Sequence, residues 1–293
     1  MLWQNQPTPE ELQAQEKARQ EQVEASRKVN QNQTQTTAIE DVSAAGANDS
    51  LKLVALKNKL GAFAYSAIND NSEKTVVESD LLSLTFNNKG GYLSEVKLKD
   101  YVDFRGDPIY IIKDNNASFN INFGTTDSRI LNTKDLIFHP TVTKNGDVTV
   151  ISMKLKVSES KFLEYRYELK DGDYMMDFTI RSQGLSDVIN GSQPINLDWN
   201  LKTYRHAKSV SYENRYTEVV FEYENGKDDY LGQQDYTDDD AEELSYVAFK
   251  QHFFTSILLA DSPFKTAKLE SKNLVNDEAI DTVFTKAFSV KLP

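Results

Sequence analysis

"FLEYRYELKDGDYMMDFTI", residues 162–180, is the stretch on which the fold turns. Leu163, Tyr165, Tyr167 and Leu169 alternate with Glu164, Arg166 and Glu168. After Asp171-Gly172 the same period returns in Tyr174, Met176, Phe178 and Ile180. Successive side chains of a strand point to opposite faces, so a period of two predicts a strand with one face buried and one wet. Asp-Gly tolerates the positive φ of a tight turn, so the stretch predicts a β-hairpin.

The rhythm extends outward in both directions. Leu82, Leu84 and Phe86 share one parity, as do Ile151, Met153, Leu155 and Val157, and again Ile195, Leu197, Trp199 and Leu201. Asn145-Gly146 and Asn225-Gly226 supply two more hairpin turns. Helical periodicity is nearly absent between these runs, which excludes βαβ units and a parallel sheet. The body, positions 75–293, is predicted to be all-β: one large antiparallel β-sandwich.

Ahead of it, positions 1–50 are poor in large apolar residues. Thr8, Pro9 and Glu11 mark a helix start, and positions 30–48 read as a disordered linker, together a polar tether. Positions 51–74 hold a short amphipathic helix, with Leu53, Leu56, Leu60 and Ala64 at helical spacing, and a link to the body.

Composition narrows the function. A net charge of −12 argues against a nucleic-acid surface, which needs clustered Lys and Arg. With no cysteine, thiolate metal sites, cysteine nucleophiles and disulfides are all excluded. No apolar run reaches the ~18–20 residues of a membrane span. Gly90-Gly91 reads as a tight turn rather than an anion nest, and the acidic run 235–243 as a solvated loop rather than a metal site. No cofactor is expected.

Three histidines remain as catalytic candidates. His139, before Pro140, reads as the end of a strand; His206 lies among basic residues in a loop after the Trp199 strand. His252 sits in "SYVAFKQHFFTSILLA", residues 245–260, read as one continuous strand. Its odd positions Val247, Phe249, Phe253, Ile257 and Leu259 form an apolar set, broken by Gln251 and Thr255, so Phe253 is expected in the core and His252 away from it, beside Lys250. A sugar-handling sandwich that pairs a histidine with a carboxylate is the enzymatic alternative.

Two motifs taken in order carry a family likeness. "VESDLLSLTFNNKGGYLSEVKLKDY", 77–101, resembles the first hairpin of the periplasmic domain of the YidC membrane protein insertase family, and 245–259 resembles a late strand of that domain. The likeness covers about Thr75 to Leu269. It implies a β-supersandwich of galactose-mutarotase type, on the periplasmic face of the inner membrane, in a multi-pass protein whose spans are not in this chain. It further implies a body that is C-terminally truncated here, and a non-enzymatic role in membrane protein insertion. The implied partners are nascent membrane proteins and the Sec translocon, SecYEG with SecD and SecF. Tyr92, Tyr101, Phe104, Tyr110, Lys250 and His252 are the expected partner or cleft contacts. The competing expectation is a mutarotase-like or carbohydrate-binding protein.

Overall fold

The computed structural model describes residues 49–68 and 73–293. The expected N-terminal helix and linker lie outside these residues. Sixteen strands follow three helical segments, and every strand pairing among the described residues is antiparallel.

The expected single amphipathic helix is broken in two. Helix α1 (Asp49–Leu60) stops at Gly61, whose φ of +58° lies outside the right-handed α-helical region, and a 3-10 turn (Gly61–Phe63) leads into α2 (Ala64–Ile68). This segment packs on the body. Phe63 is buried edge-on against Phe123 at 5.5 Å, and buried Ser66 donates to the Ile137 carbonyl at 2.6 Å. His139 Nε2 lies 3.0 Å from the Ser66 carbonyl oxygen.

The strands form three sheets. The first runs in the order β1 (Lys74–Glu78), β2 (Leu82–Asn87), β3 (Tyr92–Val102) and β4 (Pro108–Ile112). The second orders β10 (Met176–Gln183), β9 (Phe162–Lys170), β8 (Val148–Lys156) and β7 (His139–Asn145). The third has eight strands. Its order is β13 (Lys227–Leu231), β12 (Glu218–Tyr223), β14 (Tyr236–Lys250), β15 (Thr255–Asn273), β16 (Phe284–Leu292), β11 (Asn196–Tyr204), β5 (Ala117–Gly124) and β6 (Ile130–Asn132). Helix α3 (Val210–Arg215) links β11 to β12. One hydrophobic core joins the sheets: Phe86 of the first lies 4.8 Å from Tyr167 of the second, and Phe119 of the third lies 6.0 Å from Tyr165.

The predicted hairpins form where Asp171-Gly172, Asn145-Gly146 and Asn225-Gly226 stand, each with its glycine at positive φ. Gly90 and Gly91 make a turn whose N–H groups donate to Leu136 and Asn87 carbonyls, so neither is left for an anion. A Cβ on Gly91 would sit 2.8 Å from the Phe138 ring, which fixes glycine there.

Several expectations are corrected. His139 begins β7 rather than ending a strand. The acidic run 235–243 belongs largely to β14 instead of a loop, and the described residues hold no metal-ligating cluster. Burial in the second sheet also departs from simple alternation. β8 is buried on both faces, and Glu164 of β9 is buried with its carboxylate accepting from Ser152 Oγ at 2.5 Å. By contrast Tyr174, Ile180 and Ile195, expected inside, are exposed.

The largest correction falls on 245–260. It is two strands, not one: β14 ends at Lys250, β15 begins at Thr255, and the Gln251 N–H donates to the Phe254 carbonyl at 2.7 Å to close the turn. The parity therefore resets. Val247 and Phe249 are fully buried, whereas Phe253 is 61% exposed and Leu259 is exposed too. Phe253 is a rim residue rather than part of the core.

Candidate functional site

The three sheets leave between them an open cleft of about 1810 Å³. Leu84 and Val96 of the first sheet, Phe178 of β10, and Phe119, Trp199 and Leu258 of the third sheet form part of its apolar wall. The second sheet presents β10 here, a strand paired only with β9, so one row of its backbone groups has no strand partner among the described residues. Thr255 to Ala267 of β15 likewise pairs with β14 alone, because β16 meets β15 only from Lys268 to Asn273.

Polar groups gather at one end. The Asp103 carboxylate accepts from Arg105 N–H at 2.7 Å, Arg105 Nε at 2.9 Å and Asp107 N–H at 3.0 Å. Burial opposes its ionisation, but these bonds outweigh that and hold its pKa below the ordinary carboxylate value. His206 is 7% exposed, lines the cleft, and its Nε2 is buried without a hydrogen-bond partner. Desolvation pushes its pKa down to about 4, against an upward pull from Asp103 and with a further downward push from Arg105, so the ring is neutral at pH 7.

Buried Glu213 does not pair with this imidazole. Its carboxylate accepts from the backbone N–H groups of His206 and Ala207 at 2.9 Å, pinning the loop before α3, and burial raises its pKa. At this end the cleft has one neutral imidazole beside Asp103, a carboxylate already engaged by three donors. Glu168, Asp177 and Asp261 also line the cleft, Glu168 paired with Arg166.

Of the residues expected from the sequence, Tyr92, Tyr101 and Phe104 line the cleft. Tyr110, Lys250 and His252 do not belong to its lining. Tyr110 carries the Lys113 ammonium over its ring at 4.1 Å. Lys250 is paired with Glu218 at 2.8 Å. His252 sits among Tyr212, Tyr216 and Phe253, with ring centroids 5.2, 5.0 and 4.2 Å away. Sequence reasoning missed Phe254, whose ring meets both Tyr101 and His206 edge-on at 5.6 Å. Its only signal was the hidden turn: once parity resets after Gln251, Phe254 faces inward.

Elsewhere in the third sheet, Lys286 of β16 is 3% exposed, and its ammonium donates to the Thr217 carbonyl at 2.6 Å and to that of Gly232. Desolvation lowers its pKa to about 8. It is a buried clamp between β16 and the ends of the β12–β13 ribbon.

Comparison with known proteins assigns the chain. Residues 74–292 match the family model described as the YidC periplasmic domain. The membrane protein insertase YidC of Porphyromonas gingivalis is 30% identical over 273 residues, which is 92% of this chain and 42% of that protein. Those of Parabacteroides distasonis and Chloroherpeton thalassium are 27% and 24% identical, over 97% and 100% of this chain and 45% and 50% of theirs. The chain thus spans about half the length, or less, of these curated relatives. Among solved structures, a galactose mutarotase related enzyme from Lactobacillus acidophilus aligns with a TM-score of 0.41 and 6% identity, over 74% of this chain and 84% of that one. A galactose mutarotase-like protein from Lactobacillus casei gives 0.38 and 11%, over 75% and 87%. Among the described residues no helix is long and apolar enough to cross a membrane. The family match over most of the β-body settles the assignment: this chain belongs to the YidC periplasmic-domain family.

Proposed function

We propose that this chain is the periplasmic part of a membrane protein insertase, held at the outer face of the inner membrane by spans elsewhere in the longer protein. It works by non-covalent contact with polypeptide. One observation carries this reading: an open cleft of about 1810 Å³ with an apolar wall and unpaired strand edges along β10 and β15. An unpaired edge recognises any extended backbone through its N–H and C=O groups, and apolar walls accept alternate side chains of the incoming segment. This suits varied clients better than one small substrate. Nascent membrane proteins are the proposed clients, and SecYEG with SecD and SecF the proposed neighbours.

The test is photocrosslinking in the full-length insertase. A crosslinker at Leu259 or Phe178, inside the cleft, is expected to capture nascent membrane proteins above a control position such as Asp147. Equal capture at both sites would defeat the cleft reading.

A sugar-binding reading draws on His206, whose unpartnered Nε2 is buried at the cleft end. Galactose and glucose titration by calorimetry, with wild type and His206→Ala, separates the two. A saturable heat lost in the variant would favour the sugar.

A further inference from the structure

The β14–β15 turn and α3 present a second feature at the border of the cleft, whose lining includes Phe253 and Lys208. Tyr212 is 48% exposed, Tyr216 37% and Phe253 61%, yet their rings form a continuous cluster around His252. Contiguous exposed aromatics are unusual on a soluble surface and mark a place where another phase or partner is met. The cluster belongs to a chain of rings, since Phe253 lies 6.4 Å from Phe254, which reaches Tyr101.

The local charge runs against that of the whole protein. Between positions 202 and 216 stand Lys202, Arg205, Lys208 and Arg215, with one carboxylate, Glu213, in a chain of net charge −12. That carboxylate is buried and bonded to backbone N–H groups. Nearby, Lys250 pairs with Glu218, and Arg105 pairs with two carboxylates, Asp103 and Asp107, leaving one negative charge there. Lys208 and Arg215 are exposed and have no ion-pair partner among the described residues. The Arg205 guanidinium stacks over the exposed Phe104 ring at 4.8 Å and donates to the Ala207 and Lys208 carbonyls; it makes no ion pair among the described residues, though its charge acts on buried Glu213.

Tyrosine and phenylalanine interleaved with unpaired Lys and Arg suit a phospholipid headgroup layer. The rings enter the boundary between headgroup and acyl chain, and the cations meet phosphates. We propose that this rim, Tyr212, Tyr216 and Phe253 with Arg205, Lys208 and Arg215, is a docking face for an anionic phospholipid surface. Screening beyond ~8–10 Å at physiological salt lets a local basic patch bind despite the acidic total, provided the molecule is oriented. Orientation is therefore part of the proposal: the rim faces the bilayer.

The proposal does not rest on the client reading of the cleft, although Phe253 and Lys208 belong to both surfaces. The test is co-sedimentation of the 293-residue chain with vesicles of phosphatidylcholine alone or with added phosphatidylglycerol. Binding is expected only to the anionic vesicles, and is expected to weaken as salt rises. Each cation near an anionic surface contributes about fivefold, so Lys208→Glu with Arg215→Glu should lower partitioning at least about twentyfold. Tyr212→Ser with Phe253→Ser should lower it about tenfold, because apolar burial is lost. Lys268→Glu, outside the rim, should leave it unchanged. All these positions are exposed, and melting temperatures unchanged from wild type are the control that the variants fold. No binding, equal binding to neutral vesicles, or indifference to the rim variants overturns the proposal. So would capture of the rim by polyglutamate without vesicle binding, which would assign it to an acidic protein. A Leu259→Ser variant should retain vesicle binding, so failure at the rim leaves the cleft reading untouched.

Discussion

Phe249 and Phe253 stand four residues apart in one apolar run, and the folded chain treats them oppositely. Phe249, on β14, is fully buried, stacked on Trp199 at 4.1 Å and 5.3 Å from Phe288. Phe253, at the turn, is mostly exposed among the rings of the rim. The side chain is the same; what differs is whether a facing sheet exists. β14 has β12 and β15 on either side and a core beneath, whereas the turn reaches past the end of the sheet. Hydrophobicity here performs two tasks, holding the fold at one end and furnishing a surface at the other.

The sharpest way to break this comparison is to truncate both rings. Phe249→Ala should cost about 3–5 kcal/mol, since it removes a packed ring and leaves a cavity. Urea denaturation should show the midpoint falling with an unchanged slope. If Phe249→Ala cost no more than a surface change, the burial described for β14 would be wrong.

Acid should probe the border between the two regions. His206 has a folded pKa of about 4, below its ordinary 6.5, so the unfolded chain binds the proton first. Stability is whole above pH 6.5, falls as pH drops towards 4, and then levels, with a full loss of roughly 3 kcal/mol. The difference in denaturation midpoint between wild type and His206→Asn, followed from pH 7 to 4, isolates this. A parallel pH dependence in both proteins would sink it.

Lys286→Met tests the interior of the third sheet away from the rim. Removing the ammonium leaves the Thr217 and Gly232 carbonyls without their donor, at a cost of about 2–3 kcal/mol that relief of a buried charge partly offsets. Thermal melting reads the result, and an unchanged melting temperature would refute the clamp. The smallest effect should belong to Phe253→Ala, within about 0.5 kcal/mol of wild type. A loss comparable to that of Phe249→Ala would erase the distinction between core and rim.

How far the sequence reveals this depends on what each turn is made of. The β9–β10 hairpin is legible because Asp171-Gly172 announces it, and Gly172 takes a φ of +75°. The β14–β15 turn has no glycine, asparagine or aspartate, and neither His252 nor Phe253 has positive φ. Its only punctuation is a buried glutamine, which interrupts the apolar set without marking a turn, so the alternation is read across it and places Phe253 inside. Burial on both faces of β8 is invisible for a related reason, because Ser152, in phase with Lys154 and Lys156, looks like part of a wet face until other elements cover it. Tyr92, Tyr101 and Phe104 could be named from their aromatic character. That His206, Phe254 and Tyr101 meet required the folded chain to bring together positions up to 153 residues apart.

Gln251 gives the turn a mechanical character. Its side-chain amide donates to the Tyr204 carbonyl at 2.9 Å, fastening the apex to the far end of β11. The exposed rings thus stand on an apex bonded to the body rather than on a tip held by its own backbone alone. Any load they take from outside passes through that amide into the strand carrying Trp199, on the cleft wall.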